Sequence, residues 1–153
     1  LFGRTARSPR LSAFFGDTEA FYSYSGVLNK PLPWLPSLLS LKDSVEELLK
    51  FPFNSVLLNL YRNGSDSMGW HQDNEPELGQ NPVIVSISLG GIRRFLLRPR
   101  KQPDRRTIEC RPGNGSLLVM RGDTQTFWRH CVPKTRKAVE PRLNLTFRRI
   151  LAN

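Results

Sequence analysis

The segment Arg142-Leu143-Asn144-Leu145-Thr146-Phe147-Arg148 alternates polar and apolar residues without a break. Successive side chains of an extended chain point to opposite faces, so Arg142, Asn144, Thr146 and Arg148 share one face and Leu143, Leu145 and Phe147 the other. That pattern predicts a strand with one apolar face to bury. Working upstream, Ser116 to Met120, Arg94 to Leu97, Pro82 to Gly90 and Ser55 to Tyr61 are further strand-like runs between Gly and Pro turn signals. One amphipathic helix precedes them. From Ser37 to Lys50 the positions Leu38, Leu41, Val45, Leu48 and Leu49 recur at helical spacing, and Pro52 closes the segment. A helix followed by many strands predicts a mainly β fold with a flanking helix, a sandwich or jelly roll.

Ahead of the helix, Pro31, Pro33 and Pro36 punctuate a connection around Trp34, and Phe21-Tyr22-Ser23-Tyr24-Ser25-Gly26 alternates aromatic with small polar residues, as on a strand facing a cleft. The first twenty residues carry Arg4, Arg7, Ser8, Pro9, Arg10 and Gly16 among scattered aromatics and read as a hairpin or arm.

The chain has 153 residues, room for one domain (1–153) and not for a second catalytic unit. Hydrophobic residues make up 39% and charged residues 24%, which suits a folded core. The net charge of +10 points to a polyanionic partner, either nucleic acid or an anionic membrane surface. No run approaches the ~20 apolar residues of a membrane-spanning helix. No secretory leader is visible, and Cys110 and Cys131 are too few for a disulfide framework or a structural zinc site, so a reducing, intracellular setting is expected.

The chain has only two histidines. His71 and Asp73 stand two positions apart, so on an extended backbone both project from one face. With the distant His130 they supply two imidazoles and one carboxylate, the set that leaves positions open on Fe(II) for a co-substrate and oxygen, and one that also suits a catalytic zinc. A lone His-x-Asp is more often a surface pair. The terminal strand argues for more: two arginines on one face with Asn144 and Thr146 form a shelf suited to an acid, which a solvated edge strand does not explain.

Asn59-Leu60-Tyr61, Met68-Gly69-Trp70-His71-Gln72-Asp73-Asn74-Glu75, Ser86-Ile87-Ser88-Leu89-Gly90, Gly115-Ser116-Leu117-Leu118-Val119-Met120 and Pro141 to Arg148 together resemble the AlkB family of Fe(II)- and 2-oxoglutarate-dependent dioxygenases. The resemblance spans nearly the whole chain in order, and the start of the chain looks most like the branch acting on duplex DNA. It implies a double-stranded β-helix (jelly roll) with the helix packed outside, and residues 1–26 as a nucleotide-recognition arm. It implies iron ligation by His71, Asp73 and His130, with 2-oxoglutarate and O2 as co-substrates. Asn59, Tyr61 and Arg142 match residues that hold 2-oxoglutarate, and Asn144, Thr146 and Arg148 the rest of that pocket.

On the same resemblance, Tyr22, Ser23 and Tyr24 line the base pocket, where Tyr22 and Tyr24 sandwich an extruded base with His71. Asn74 and Glu75 face the substrate edge, with Asn74 standing where some relatives carry Asp. Phe2, in Leu1-Phe2-Gly3-Arg4, resembles an apolar wedge for the gap left by a flipped base. The basic residues concentrate at Arg93, Arg94, Arg98, Arg100, Lys101, Arg105 and Arg106, and at Lys134, Arg136 and Lys137. Of these, Arg98, Arg100, Lys101, Lys134, Arg136 and Lys137 are expected on the DNA backbone, since contacts to phosphate position a strand without reading it.

The implied activity is direct-reversal repair: oxidative demethylation of N1-methyladenine and N3-methylcytosine in DNA, duplex preferred, releasing formaldehyde, succinate and CO2. The resemblance also admits single-stranded DNA or RNA as the polymer, and a binding module without chemistry would be expected to lack one of the ligands or arginines present here. A monomer is expected, in the cytoplasm of a bacterium or the nucleus of a eukaryote.

Overall fold

The computed structural model describes residues 9–24, 27–102 and 106–151. Its strands in chain order are β1 (Leu11–Gly16), β2 (Tyr22–Tyr24), β3 (Val27–Asn29), β4 (Ser55–Tyr61), β5 (Met68–His71), β6 (Ile84–Gly90), β7 (Phe95–Pro99), β8 (Ile108–Cys110), β9 (Ser116–Met120), β10 (Trp128–Val132) and β11 (Arg142–Arg148). Two α-helices accompany them, α1 (Pro36–Leu49) and the single turn α2 (Thr124–Phe127), with a 3-10 turn at Pro76–Leu78.

The larger sheet runs β1-β4-β11-β6-β9, the smaller β5-β10-β7-β8, and every pairing in them is antiparallel. The alternating segment is central to the larger sheet, where β11 pairs along its whole length with β4 and nearly so with β6. Its apolar face works outward. Leu145 and Phe147 join Val56, Val85 and Ile87 of the neighbouring strands and Leu38 and Val45 of α1 in one buried cluster. A second cluster, with Tyr61, Ile84, Phe95, Met120 and Val132, fills part of the space between the sheets. The polar face of β11 shares that interior, and it is there that a site can be built.

Helix α1 starts at Pro36, whose fixed φ suits the first turn, and ends at Lys50 in the left-handed region (φ 51°) before Phe51-Pro52. Leu38 and Val45 are buried, but Leu48 is 68% exposed, contrary to its place in the apolar pattern. At about 100° per residue Leu48 sits roughly 80° from the line through Leu38, and Leu49 takes the inner position instead.

Of residues 1–26, expected as an arm, residues 1–8, 25 and 26 lie outside the described residues. Leu11–Gly16 is an edge strand of the larger sheet, in register with β4 from Leu11↔Leu60 to Gly16↔Ser55. Local turn signals could not show that β4 needed a second partner. The hairpin of β2 and β3 is separate from that sheet. No helix of the described residues is long and apolar enough to cross a membrane.

Candidate active site

Antiparallel pairing sets His130 of β10 directly across from His71 of β5, and their rings meet edge-on, centroids 4.2 Å apart. Asp73 follows just beyond β5, its backbone N–H donating to Gln125 Oε1 of α2 at 2.9 Å. One potential ligand atom from each of His71, Asp73 and His130 lies within 4.8 Å of the other two. The spacing expected from sequence is thus a real cluster, half-buried at His71 and buried at Asp73 and His130.

Protonation suits a cation. His71 Nδ1 is 2.9 Å from the Gly69 carbonyl, which can only accept, so Nδ1 is the donor there and the neutral tautomer that fits offers Nε2 as its ligand atom. Burial, and then the neighbouring His71, push His130 down to about 4, so it is neutral near pH 7. Its 3.8 Å approach to Asp73 is therefore no ion pair. Burial pushes Asp73 up, but the Arg148 guanidinium at 2.9 Å and the two histidines outweigh it and leave the carboxyl below its ordinary value. Two imidazoles and a carboxylate fit Fe(II) as a donor set.

The register of β11 with β4 pairs Arg142 with Tyr61 and Asn144 with Asn59, so these side chains converge between the sheets. Arg142 is 2% exposed and lies 5.5 Å from the Tyr61 ring. It donates to Ser88 Oγ and Asn144 Oδ1, both at 2.7 Å, while its Nε has no partner. Among the described residues no carboxylate is in ion-pair range of it. A buried guanidinium without an anion is costly, and a carboxylate entering from outside would complete it. Gly90 (φ 82°) ends β6 tight against Pro141, where a Cβ would strike the carbonyl, and this close approach brings Arg142 beside Ser88.

The rest of the polar face is engaged within the protein. Asn144 accepts from Ser86 Oγ at 2.7 Å and donates to Thr146 Oγ1 at 2.9 Å, so these side chains brace Arg142. Arg148 is tied to Asp73 at the metal-facing end. Asn59 Oδ1 accepts from Arg10 Nε at 2.7 Å, which leaves its NH2 as the group free to donate elsewhere. The pocket that touches Asn59, Asp73, Arg142, Asn144, Thr146 and Arg148 is also lined by Met68, Phe95 and Met120. A second cavity of about 200 Å³, walled by Arg10, Ser12, Phe14, Asn29 and Met68, shares Asp73 and Arg148 with it.

Phe2, Gly3 and Arg4 lie outside the described residues, as do the side chains of Tyr22, Ser23 and Tyr24. Asn74 is exposed at a concavity with His71 and Arg100, and Glu75 is half-buried with its Oε2 unpartnered. Arg98 stacks 4.1 Å over Trp70. Arg100, Lys101, Lys134, Arg136 and Lys137 are exposed, but in two groups at opposite ends of β10, roughly 20 Å apart at the rise of a strand. Arg93 and Arg94 leave the basic surface: Arg93 is 3% exposed and donates to the carbonyls of Asn63, Asp66 and Pro133, and Arg94 pairs with Glu109.

Sequence reading missed Gln125 and Arg10. Both act through partners distant in the chain, Asp73 and Asn59, so no local motif marks them.

The sequence profile of the 2OG-Fe(II) oxygenase superfamily matches residues 12–148. Alpha-ketoglutarate-dependent dioxygenase alkB homolog 3 of Bos taurus is 43% identical, the match covering 95% of this chain and 53% of that protein. DNA oxidative demethylase ALKBH2 of Homo sapiens is 40% identical, covering 99% of this chain and 60% of that protein. The chain thus spans little more than half the length of these curated relatives. The solved structure of OsALKBH1 superposes with a TM-score of 0.63 over 90% of this chain and 77% of that one, at 20% identity, and supports the jelly-roll fold.

Proposed function

The chain belongs to the 2OG-Fe(II) oxygenase superfamily, in its AlkB branch, and on that premise we propose that it removes methyl groups from alkylated bases in DNA by oxidation. The observation that carries this reading is the juxtaposition, in one pocket, of the His71, Asp73 and His130 ligand atoms with the buried, anion-less Arg142. One end can hold a divalent metal and the other a carboxylate.

In this reading His71, Asp73 and His130 hold Fe(II), and Arg142 takes the distal carboxylate of 2-oxoglutarate with Asn59 and Tyr61 donating alongside. Bound there, iron, 2-oxoglutarate and O2 supply the oxidation that hydroxylates an N-methyl group, after which the product falls apart to formaldehyde and the unmodified base, with succinate and CO2 formed. Asn144 and Thr146 keep Arg142 aimed at the pocket through their hydrogen bonds. Arg148 keeps the Asp73 carboxylate ionised and oriented. The Gly69 carbonyl fixes the His71 tautomer.

Tyr22, Ser23, Tyr24, Asn74 and Glu75 belong to the base side of this reading, Phe2, Gly3 and Arg4 to an arm that fills the gap in a duplex, and Arg98, Arg100, Lys101, Lys134, Arg136 and Lys137 to the backbone. N1-methyladenine and N3-methylcytosine are the proposed lesions, because a methyl group that blocks pairing makes a base cheaper to extrude. The protein would act as a monomer wherever its DNA is kept.

The test is mass spectrometry of an oligonucleotide with one N1-methyladenine, as duplex and as single strand, incubated with the protein, Fe(II), ascorbate and 2-oxoglutarate. Loss of one methyl group is expected, faster on the duplex. An unchanged mass in both would overturn the activity, and preference for the single strand would overturn the duplex assignment alone.

A further inference from the structure

The smaller sheet carries Arg98 and Arg129, with Arg100 directly after β7, and neither the metal cluster nor the carboxylate pocket uses them. Arg129 of β10 lies directly across from Arg98 of β7 in the strand register, two like charges at a spacing where repulsion destabilises a sheet. The adjacent pair, His130 and Leu97, faces the other way, into the molecule. Arg98 is held by its stacking at 4.1 Å on Trp70, which fixes the guanidinium plane. Arg100 is anchored through its backbone N–H, which donates to the Phe127 carbonyl at 2.7 Å.

Arg100 and Arg129 line one concavity with Trp70, His71, Gln72 and Asn74, so this cationic strip reaches the rim on which His71 stands. Among the described residues no carboxylate lies in ion-pair range of Arg98, Arg100 or Arg129, whereas Arg94 and Arg111 share Glu109 nearby. Arg98, Arg100 and Arg129 thus stand without a counter-charge beside the candidate metal ligands.

We propose that Arg98, Arg100 and Arg129 form the principal phosphate-binding strip of the protein, taking the phosphodiester backbone of the strand whose base enters the pocket at His71. The inference rests on the nucleic-acid reading above and deepens it. It gives Arg129 a role that the sequence motifs did not suggest, and it makes Lys134, Arg136 and Lys137, at the far end of β10, secondary. A phosphate between Arg98 and Arg129 turns a repulsive pair into two charge-assisted contacts, and guanidinium forks match phosphate oxygens. Nothing in such a contact reads a base edge, so the strip binds without regard to sequence.

The experiment is a titration of wild type, Arg129→Gln and a Lys134→Gln, Arg136→Gln, Lys137→Gln triple variant with a fluorescent methylated oligonucleotide across a salt series, alongside thermal melts. Arg129→Gln is expected to flatten the slope of log affinity against log salt by about 0.9 on a duplex, or about 0.7 on a single strand. The triple variant should flatten it less for each charge removed. The melting midpoint of Arg129→Gln should equal or exceed that of wild type, because a like-charge pair has been removed. An unchanged slope in Arg129→Gln, a larger change per charge in the triple variant, or a lowered midpoint with the slope intact would each overturn the strip. If wild type demethylates the oligonucleotide and Arg129→Gln keeps its slope, this inference alone fails; if wild type neither demethylates nor binds in a salt-dependent way, the parent reading fails.

Discussion

Arg142 and Arg148 leave the same face of one strand and meet different surroundings: Arg148 finds Asp73, and Arg142 finds only neutral partners. The difference separates their roles. Arg142→Ala should weaken 2-oxoglutarate binding by ~30-fold or more, the effect of about 2 kcal/mol expected when one member of a buried charge pair is cut away. A titration showing unchanged affinity would remove Arg142 from the carboxylate end. His130→Ala should lose metal affinity by more than the ~100-fold typical of losing a supporting contact, and should release no formaldehyde, while its far-UV spectrum stays that of wild type. Metal-dependent formaldehyde release from that variant would break the assignment of the cluster. At this scale the candidate ligands were legible, because a chain with two histidines and one His-x-Asp offers few alternatives. Gln125 and Arg10 were not, since a side chain's partner across the fold leaves no trace in its own neighbourhood.

At the scale of elements, alternation in β11 was readable because one face is apolar throughout, and Phe147, fully buried against Phe53 and the α1 side of the sheet, shows what that face contributes. Phe147→Ala should cost about 3–5 kcal/mol in a urea titration, whereas Leu48→Ala, on the exposed flank of α1, should fall within ~0.5 kcal/mol of wild type. Equal losses would mean that α1 packs with a different face. The link from β4 to β5 has its own clasp: Asp66 accepts from the Arg62 backbone N–H and, through both oxygens, from its guanidinium. Those bonds pull the Asp66 carboxyl down to about 2, below the ~3.9 of an unfolded aspartate. Its stabilisation is therefore complete above about pH 5 and fades as pH falls through 4 toward 2. Asp66→Asn should be less stable than wild type at neutral pH, and the gap should close on acidification; a gap independent of pH would show that the clasp is not electrostatic. The membership of β1 in the larger sheet was hidden for a related reason: edge pairing is decided by β4, far along the chain.

For the whole molecule, the net charge of +10 allowed a polyanion of any kind. Folding divides that charge into buried cations such as Arg93 and Arg142, paired ones such as Arg62 and Arg94, and an unneutralised group beside the pocket mouth. Composition could not make that division, because it depends on which carboxylates the fold brings near. The whole molecule's behaviour should follow the third group, with log affinity for an oligonucleotide falling linearly as log salt rises. The central claim, that metal end and carboxylate end serve one oxidation, is tested most directly by measuring succinate and formaldehyde together. With Fe(II), 2-oxoglutarate, O2 and a methylated oligonucleotide, the two products should rise in equal amounts as methyl groups disappear, and Arg142→Ala should depress both alike at limiting 2-oxoglutarate. Succinate formed at the same rate with an unmethylated strand, or methyl loss without succinate, would contradict it.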